Sequence, residues 1–386
     1  MICPVCSSNS LSDFLSRPSV PVHQNLLMRD QSAAMDIPRG DLALVACHDC
    51  GFIFNRAFDP RKIRYGADYE NTQACSPSFN EHLNGLVRHM VVEQNVRDCQ
   101  VVEVGCGNGL FLRRLVTYAG AGNRGHGFDP SYRGAASELD GRLKFSARYY
   151  DSECADVPAD VVVCRHVIEH VPRPLQMLAD IKKALGRAPR ARIFFETPCV
   201  EWILANLVIW DFFYEHCSYF SAASLLTAFQ TAGFEVQNVE HVFEGQYLWL
   251  EATLPETTPR IERRPGAVVA QAERFARLET KLKEGWTQKL RALASPEKVA
   301  LWGAGAKGVT FANLIDQSRE LIDCVVDLNP LKQGHYVPGT GHPIVNYEVL
   351  KARGVSTAIL MNPNYREENL ALLRAAQSDV RLIDQL

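Results

Sequence analysis

Residues 100–115 read Gln100-Val101-Val102-Glu103-Val104-Gly105-Cys106-Gly107-Asn108-Gly109-Leu110-Phe111-Leu112-Arg113-Arg114-Leu115. A β-branched run, three alternating glycines and an apolar run at helical spacing predict strand, turn and helix. That is the opening unit of a doubly wound α/β sheet. The pattern is Glu-x-Gly-x-Gly-x-Gly, which differs from the dinucleotide spacing with two residues before its last glycine. At Glu103 a carboxylate would repel a pyrophosphate and attract an ammonium. His126-Gly127-Phe128 predicts the second strand, and Asp129 ends it about 20 residues after the turn, where an acid can accept both ribose hydroxyls.

Working downstream, residues 159–164 read as a buried strand, 174–185 as a helix and 191–196 as a further strand. Between the first two lies Arg165-His166-Val167-Ile168-Glu169-His170-Val171. His166 and His170 are four apart and would share a helical face, so a metal site is one reading. No third ligand stands out, and a cleft-lining role fits better. Together the glycine turn, Glu103 and Asp129 resemble the S-adenosylmethionine site of class I methyltransferases. The resemblance implies Glu103, Gly105, Gly107, Asn108, Gly109 and Asp129 as cofactor residues, joined by Arg165 and His166. Asp151 or Ser152, after the expected third strand, would face the adenine. The other reading is a glycine turn in an unrelated α/β enzyme.

The chain has 386 residues, with 41 Lys plus Arg against 44 Asp plus Glu and a formal charge of −3. It carries no global bias toward nucleic acid. Its length suggests about two or three domains. Apolar residues are 47% and charged ones 22%, as in ordinary globular chains. No apolar run reaches the roughly 18 residues of a membrane span; residues 200–214 are broken by Glu201, Asn206 and Asp211. Met1-Ile2-Cys3-Pro4 lacks the basic and apolar segments of a secretory signal. A soluble cytoplasmic enzyme with a small-molecule substrate is expected, with no nucleic-acid or membrane partner.

Of 12 cysteines, Cys3, Cys6, Cys47 and Cys50 form two Cys-x-x-Cys pairs. Two such knuckles supply a tetrahedral four-sulfur shell, so structural Zn2+ is expected in a zinc-ribbon-like module; a redox dithiol is the competing reading. Gly51 suits the left-handed backbone that closes a knuckle. The long gap between the pairs requires a hairpin or loop within residues 7–46.

Residues 210–221 read Trp210-Asp211-Phe212-Phe213-Tyr214-Glu215-His216-Cys217-Ser218-Tyr219-Phe220-Ser221, and Ser221 suits the N-cap of the helix expected from Ala222. A Glu-His pair among aromatics fits a proton-abstraction site, since imidazole titrates near neutrality. An aromatic connector whose histidine packs is the alternative. After a linker broken at 255–259 and a charged helix over 267–293, a second strand-turn-helix carries Gly303-Ala304-Gly305-Ala306-Lys307-Gly308, with Asp327 closing the next strand. Alone, this spacing suggests NAD.

The cysteine pairs, the methyltransferase core, the Glu-His-x-x-Tyr-Phe-Ser string and the C-terminal segments 327–330, 332–334 and 338–340 occur together in one family. In order and spacing the chain is similar to the sugar C-methyltransferases of antibiotic deoxysugar pathways over nearly its whole length. Those enzymes methylate C3 of a thymidine-diphosphate-linked 4-keto-6-deoxy sugar. The resemblance implies His216 as base, Glu215 as its orienting or electrostatic partner, and His170 or His166 as the group polarising the keto oxygen. It implies Tyr65 and Tyr69, with Ser76-Pro77, folding over the methionine end of the cofactor. It also implies a Rossmann-like C-terminal domain that helps form the nucleotide-sugar cleft, where Gly305, Lys307 and Asn362 are candidate contacts; a purely structural turn is the other reading. The family string usually reads Tyr-His-Glu-His, and here it reads Phe213-Tyr214-Glu215-His216. Tyr214 is therefore the displaced phenol, one position later. The expected division is a zinc-binding module at 1–64, a class I methyltransferase domain at 65–255 and a linker helix with a Rossmann-like domain at 256–386. O- or N-methylation of another sugar or polar metabolite is the rival chemistry, and a non-catalytic S-adenosylmethionine-binding interaction protein the rival class.

Overall fold

The computed structural model describes the chain except residues 67, 187, 189, 256–259, 262, 295, 296, 385 and 386. The expected break at 255–259 thus lies almost wholly outside the described residues, as does the boundary placed there. Described strands are numbered β1 to β17 along the chain and form three sheets. The first is antiparallel: β1 (Leu11–Pro21), β2 (Arg39–Cys47) and β3 (Ile53–Asn55), closed by β10 (Ser218–Tyr219) from far along the chain. The segment between the cysteine pairs is therefore a hairpin, with Leu11 opposite Cys47 and Pro21 opposite Arg39.

The central sheet contains β4 (Gln100–Val104), β5 (Arg124–Phe128), β6 (Ser137–Glu138), β7 (Leu143–Ser146), β8 (Val161–Arg165), β9 (Arg192–Pro198), β11 (Glu235–Val242) and β12 (Tyr247–Thr253). Their spatial order is β11-β12-β9-β8-β4-β5-β7-β6. Strands β7, β5, β4, β8 and β9 are parallel, and β12 runs against β9. Helices on both faces bury these strands, which explains their unbroken apolar reading. Val104 lies opposite Phe128 on one side and Cys164 on the other, so the carboxyl ends of β5, β4 and β8 lie side by side. The chain winds outward in both directions from β4, and that switch point is where open α/β sheets bind ligands. The helix Leu110–Thr117 starts there and buries Phe111, Leu112, Leu115 and Val116 against the sheet. Ser221 and Ser224 form a capping box for the helix Ala222–Thr231, as the N-cap reading required.

The third sheet is wholly parallel, in the order β15 (Ile344–Val345), β14 (Cys324–Val326), β13 (Lys298–Trp302), β16 (Val355–Leu360), β17 (Arg381–Ile383). The helix Val268–Leu293 leads into it. From a buried position on β1, Arg17 ties the N-terminal sheet to the helix Val268–Leu293 and to the connector 209–212. Its Nε donates to Glu279 on that helix at 2.8 Å, and its terminal nitrogens donate to the carbonyls of Phe212 and Ile209 at 3.0 and 2.7 Å. The strap 209–219 is thus held against the N-terminal sheet at both ends, through Arg17 and through the pairing of β10 with β3. No helix among the described residues is long and apolar enough to cross a membrane.

Candidate active site

At the end of β4, Gly105, Gly107 and Gly109 have φ of +70°, +52° and +78°. A Cβ on Gly105 would lie 2.2 Å from Val167 Cγ2, so both backbone and space require glycine there. Asp129 fastens the end of β5 to this turn: its Oδ2 accepts the Gly107 N–H at 2.9 Å, and its Oδ1 accepts the Ser131 N–H at 2.7 Å. Asn108 accepts the Leu110 N–H and donates to Thr72. Glu103 is 2% exposed and its Oε2 has no hydrogen-bond partner. Burial pushes its carboxyl up to about 8, against the opposing pull of Arg165. An orphaned buried carboxylate beneath an open glycine turn fits the ammonium of S-adenosylmethionine.

Glu196, at the carboxyl end of β9, is fully buried. It takes His82 Nε2 at 2.5 Å and Arg165 Nε at 2.8 Å, with His166 Nε2 3.2 Å away. Burial alone would raise its carboxyl; Arg165 and His166 overcome that and hold it well below the usual range. His166 sits at φ +54°, where a side chain is strained, and its N–H donates to the Glu196 carbonyl. Burial opposes its charge, yet Glu196 and Glu169 lift the imidazole to about 9. Arg165 is thus tied to the floor beside Glu196, its guanidinium over the Phe111 ring, and His166 borders the cleft.

A cavity of about 280 Å³ opens between the carboxyl edges of the central and C-terminal sheets. Tyr69, His170, Phe213 and His216 line one wall; Gly305, Lys307 and Asn362 line the other. The His216 ring lies 4.1 Å from that of Phe213 and 4.7 Å from that of His170, centroid to centroid. Burial, reinforced by His170, His166 and Lys307, holds its imidazole well below its ordinary value. His170 Nδ1 is 3.0 Å from the Tyr65 hydroxyl, and the Tyr65 and Tyr69 rings meet edge-on at 4.9 Å.

Two expected catalytic groups point elsewhere. The Tyr214 hydroxyl accepts the Asp59 N–H at 2.8 Å, outside the cavity, and its ring packs on Gly40, where a Cβ would lie 2.4 Å from Cε2. Tyr214 sits in a turn with its hydroxyl committed to the Asp59 backbone, so the displaced phenol does not line the cleft. Glu215 borders the cavity, but its carboxylate serves the N-terminal segment, not His216. Oε1 is 3.1 Å from His23 Nδ1 and Oε2 accepts the Gln24 N–H at 3.0 Å.

On the opposite wall Lys307 Nζ is 2.8 Å from Asp211 and 3.3 Å from Gln246 Oε1. Asn362 and Gln246 exchange two amide bonds, at 2.8 and 3.1 Å. Gly305 is the N-cap of the helix Ala306–Ile315. Asp327 Oδ2 accepts the Ala304 N–H at 2.8 Å, repeating the link from Asp129 to the first turn. Sequence reading missed His23, His82, Asp211 and Gln246 because their partners are remote in the chain; Glu215 is 192 residues from His23.

At the far end, Cys3, Cys6, Cys47 and Cys50 are buried, with all four sulfurs within 4.8 Å of one another. Cys3 and Cys50 are 3.7 Å apart, Cys6 and Cys47 3.5 Å. A tetrahedron with metal–sulfur bonds of about 2.3 Å has edges of about 3.8 Å, so the cluster has the dimensions of a zinc shell. Gly51 has φ +72°, as the knuckle requires.

Comparison with known proteins bears on this arrangement directly. Residues 70–239 match the Methyltransferase domain family, and residues 262–383 the C-methyltransferase C-terminal domain family. The chain is 26% identical to the C-methyltransferase NovU of Streptomyces niveus, covering 95% of this chain and 90% of that protein. A tRNA U34 carboxymethyltransferase of Campylobacter jejuni is 30% identical over 108 residues, 26% of this chain and 36% of that one. Among solved structures, the 1,6-didemethyltoxoflavin-N1-methyltransferase of Burkholderia thailandensis, with bound S-adenosylhomocysteine, is 14% identical with a TM-score of 0.34, covering 47% of this chain and 80% of that one. Two family matches in sequence and a relative aligned along nearly the whole chain agree with the resemblance its motifs carry: the protein is an S-adenosylmethionine-dependent methyltransferase, similar to a C-methyltransferase along nearly its whole length.

Proposed function

We propose that the protein methylates a carbon beside a ketone, in a nucleotide-linked 4-keto deoxysugar, with His216 as base. The observation that carries this reading is His216 lining the same cavity as His170 and the glycine turn with Lys307, its imidazole held below its ordinary range by burial. A ketone acidifies the neighbouring C3 hydrogen. His216 takes that proton, and the electron pair of the C–H bond becomes the enolate. Bound S-adenosylmethionine supplies an electrophilic methyl, whose bond electrons stay on the departing sulfur. Glu103 would hold the cofactor's ammonium, Asp129 its ribose, and Tyr69 would cover its methionine end. His170, its Nδ1 3.0 Å from the Tyr65 hydroxyl, would polarise the keto oxygen.

The opposite wall supports a diphosphate-linked acceptor. Gly305 opens a helix N-terminus into the cavity, and Lys307 stands in its first turn. In this reading the four cysteines hold one structural Zn2+, with no open position for chemistry. Phe213 supports a second reading. It lies beside His216 and offers no hydroxyl to the enolate oxygen, so an O- or N-methyl acceptor that brings its own acidic proton suits the cleft as well. Incubating the protein with S-adenosylmethionine and a panel of nucleotide-activated 4-keto sugars, followed by mass spectrometry, tests the proposal. One added methyl on carbon supports it; transfer only to hydroxyl or amino acceptors refutes it.

A further inference from the structure

We propose that Glu169, His170 and His216 form a second metal site, in which a divalent first-row transition-metal ion occupies the acceptor cleft and competes with the methyl acceptor. One donor atom from each residue lies within 4.8 Å of the others, and all three residues line the cavity. Two imidazoles with one carboxylate form a facial set that leaves the remaining coordination positions open, here toward the cavity.

Two further observations point to a ligand at this place. Glu169 is 2% exposed, and only one of its oxygens is satisfied: Oε2 accepts from the Thr197 hydroxyl at 3.1 Å. Oε1 is buried without a hydrogen bond, 3.5 Å from His166 Nδ1. That long ion pair leaves Oε1 with lone pairs for a further partner from the cavity. The second observation is the bond from His170 Nδ1 to the Tyr65 hydroxyl, which leaves Nε2 for a ligand. A fixed partner on the far ring nitrogen is what orients histidines that bind metals. The donors are nitrogen and oxygen, without sulfur, which suits divalent first-row ions from iron to zinc, with Co2+ as their spectroscopic probe.

The inference rests on the proposed function in one respect: His216 cannot hold a metal and accept a proton at the same time, so occupancy is inhibitory. The full chain, preloaded with one equivalent of Zn2+ for its cysteines, is titrated with Co2+ and followed by visible absorption. One further equivalent should bind, with ligand-field bands and no sulfur-to-cobalt charge-transfer band. His170→Ala should abolish those bands. Tyr65→Phe, which keeps the ring, should weaken Co2+ by roughly ten- to a hundredfold. Far-UV circular dichroism and an unchanged melting midpoint check that each variant is folded. Absent bands, a sulfur charge-transfer band, or unchanged bands in folded His170→Ala would overturn the site. Methyl transfer at full rate under saturating Zn2+ would overturn the competition and leave the proposed function standing. Co2+ bound through these residues in a protein that methylates no ketone would uphold the site and sink the proposed function.

Discussion

The His216 ring stands edge-on to that of His170, with their planes at 89° and their centroids 4.7 Å apart. Burial, with the neighbouring His170, His166 and Lys307, disfavours charge on His216. Its protonation therefore falls well below the ordinary 6.5. For methyl transfer, the acid limb of the kcat/KM profile should lie well below that value. Lys307→Met removes one of the opposing charges and should move the limb upward. For stability the sign is the same: the unfolded chain binds this proton more readily, so His216 costs stability as pH falls below 6.5. A pH series of kcat/KM for both proteins checks it.

Glu103 predicts a proton released on cofactor binding. Without cofactor its carboxyl titrates at about 8, above the ordinary 4.5, so the folded protein keeps a proton that the unfolded chain has lost. Stability from this group is complete below 4.5 and is lost as pH rises through about 8. An ammonium bound against it expels the proton, so cofactor affinity should climb with pH between those limits. Calorimetry in buffers of different ionisation enthalpy should show that release in wild type and none in Glu103→Gln. The variant should also bind about 10- to 100-fold more weakly, as expected for one lost charge-assisted hydrogen bond.

Tyr214 yields the opposite expectation. Its hydroxyl is spent on the Asp59 backbone, so Tyr214→Phe should lose about 1 kcal/mol of stability. Methyl transfer should change by less than about twofold, because nothing in the cleft is altered. Chemical denaturation and a steady-state assay on the same preparation separate the two effects.

The cysteine cluster predicts one tightly held zinc. Metal analysis should give one equivalent in wild type and little in Cys47→Ser. The loss should cost on the order of 3 kcal/mol and lower the melting midpoint, because the knuckle ends β2 and starts β3.

Local pattern carried much of this in advance. The turn at Gly105, the acid at Asp129, the cysteine pairs and the Ser221 cap each have a cause within a few residues. The orientation of Glu215 does not, because its partners His23 and Gln24 belong to a hairpin folded under the strap. Arg17 is equally silent in sequence, since its carboxylate is 262 residues away on the helix Val268–Leu293. Tyr214 reads locally as a cleft phenol, and only the pairing of β3 with β10 turns it toward Asp59. Cleft residues contributed by the N-terminal and C-terminal sheets follow from packing among three sheets, which no local period encodes.

The central claim is that His216 removes a proton from carbon beside a ketone. Its most direct test is deuterium uptake at C3 of a nucleotide-linked 4-keto sugar, in D2O and with S-adenosylhomocysteine in place of the methyl donor. Wild type should exchange that position, and His216→Ala should exchange and methylate slower by about 10²- to 10⁴-fold, the usual contribution of a positioned base. Exchange and methylation by His216→Ala at the wild-type rate would contradict the account.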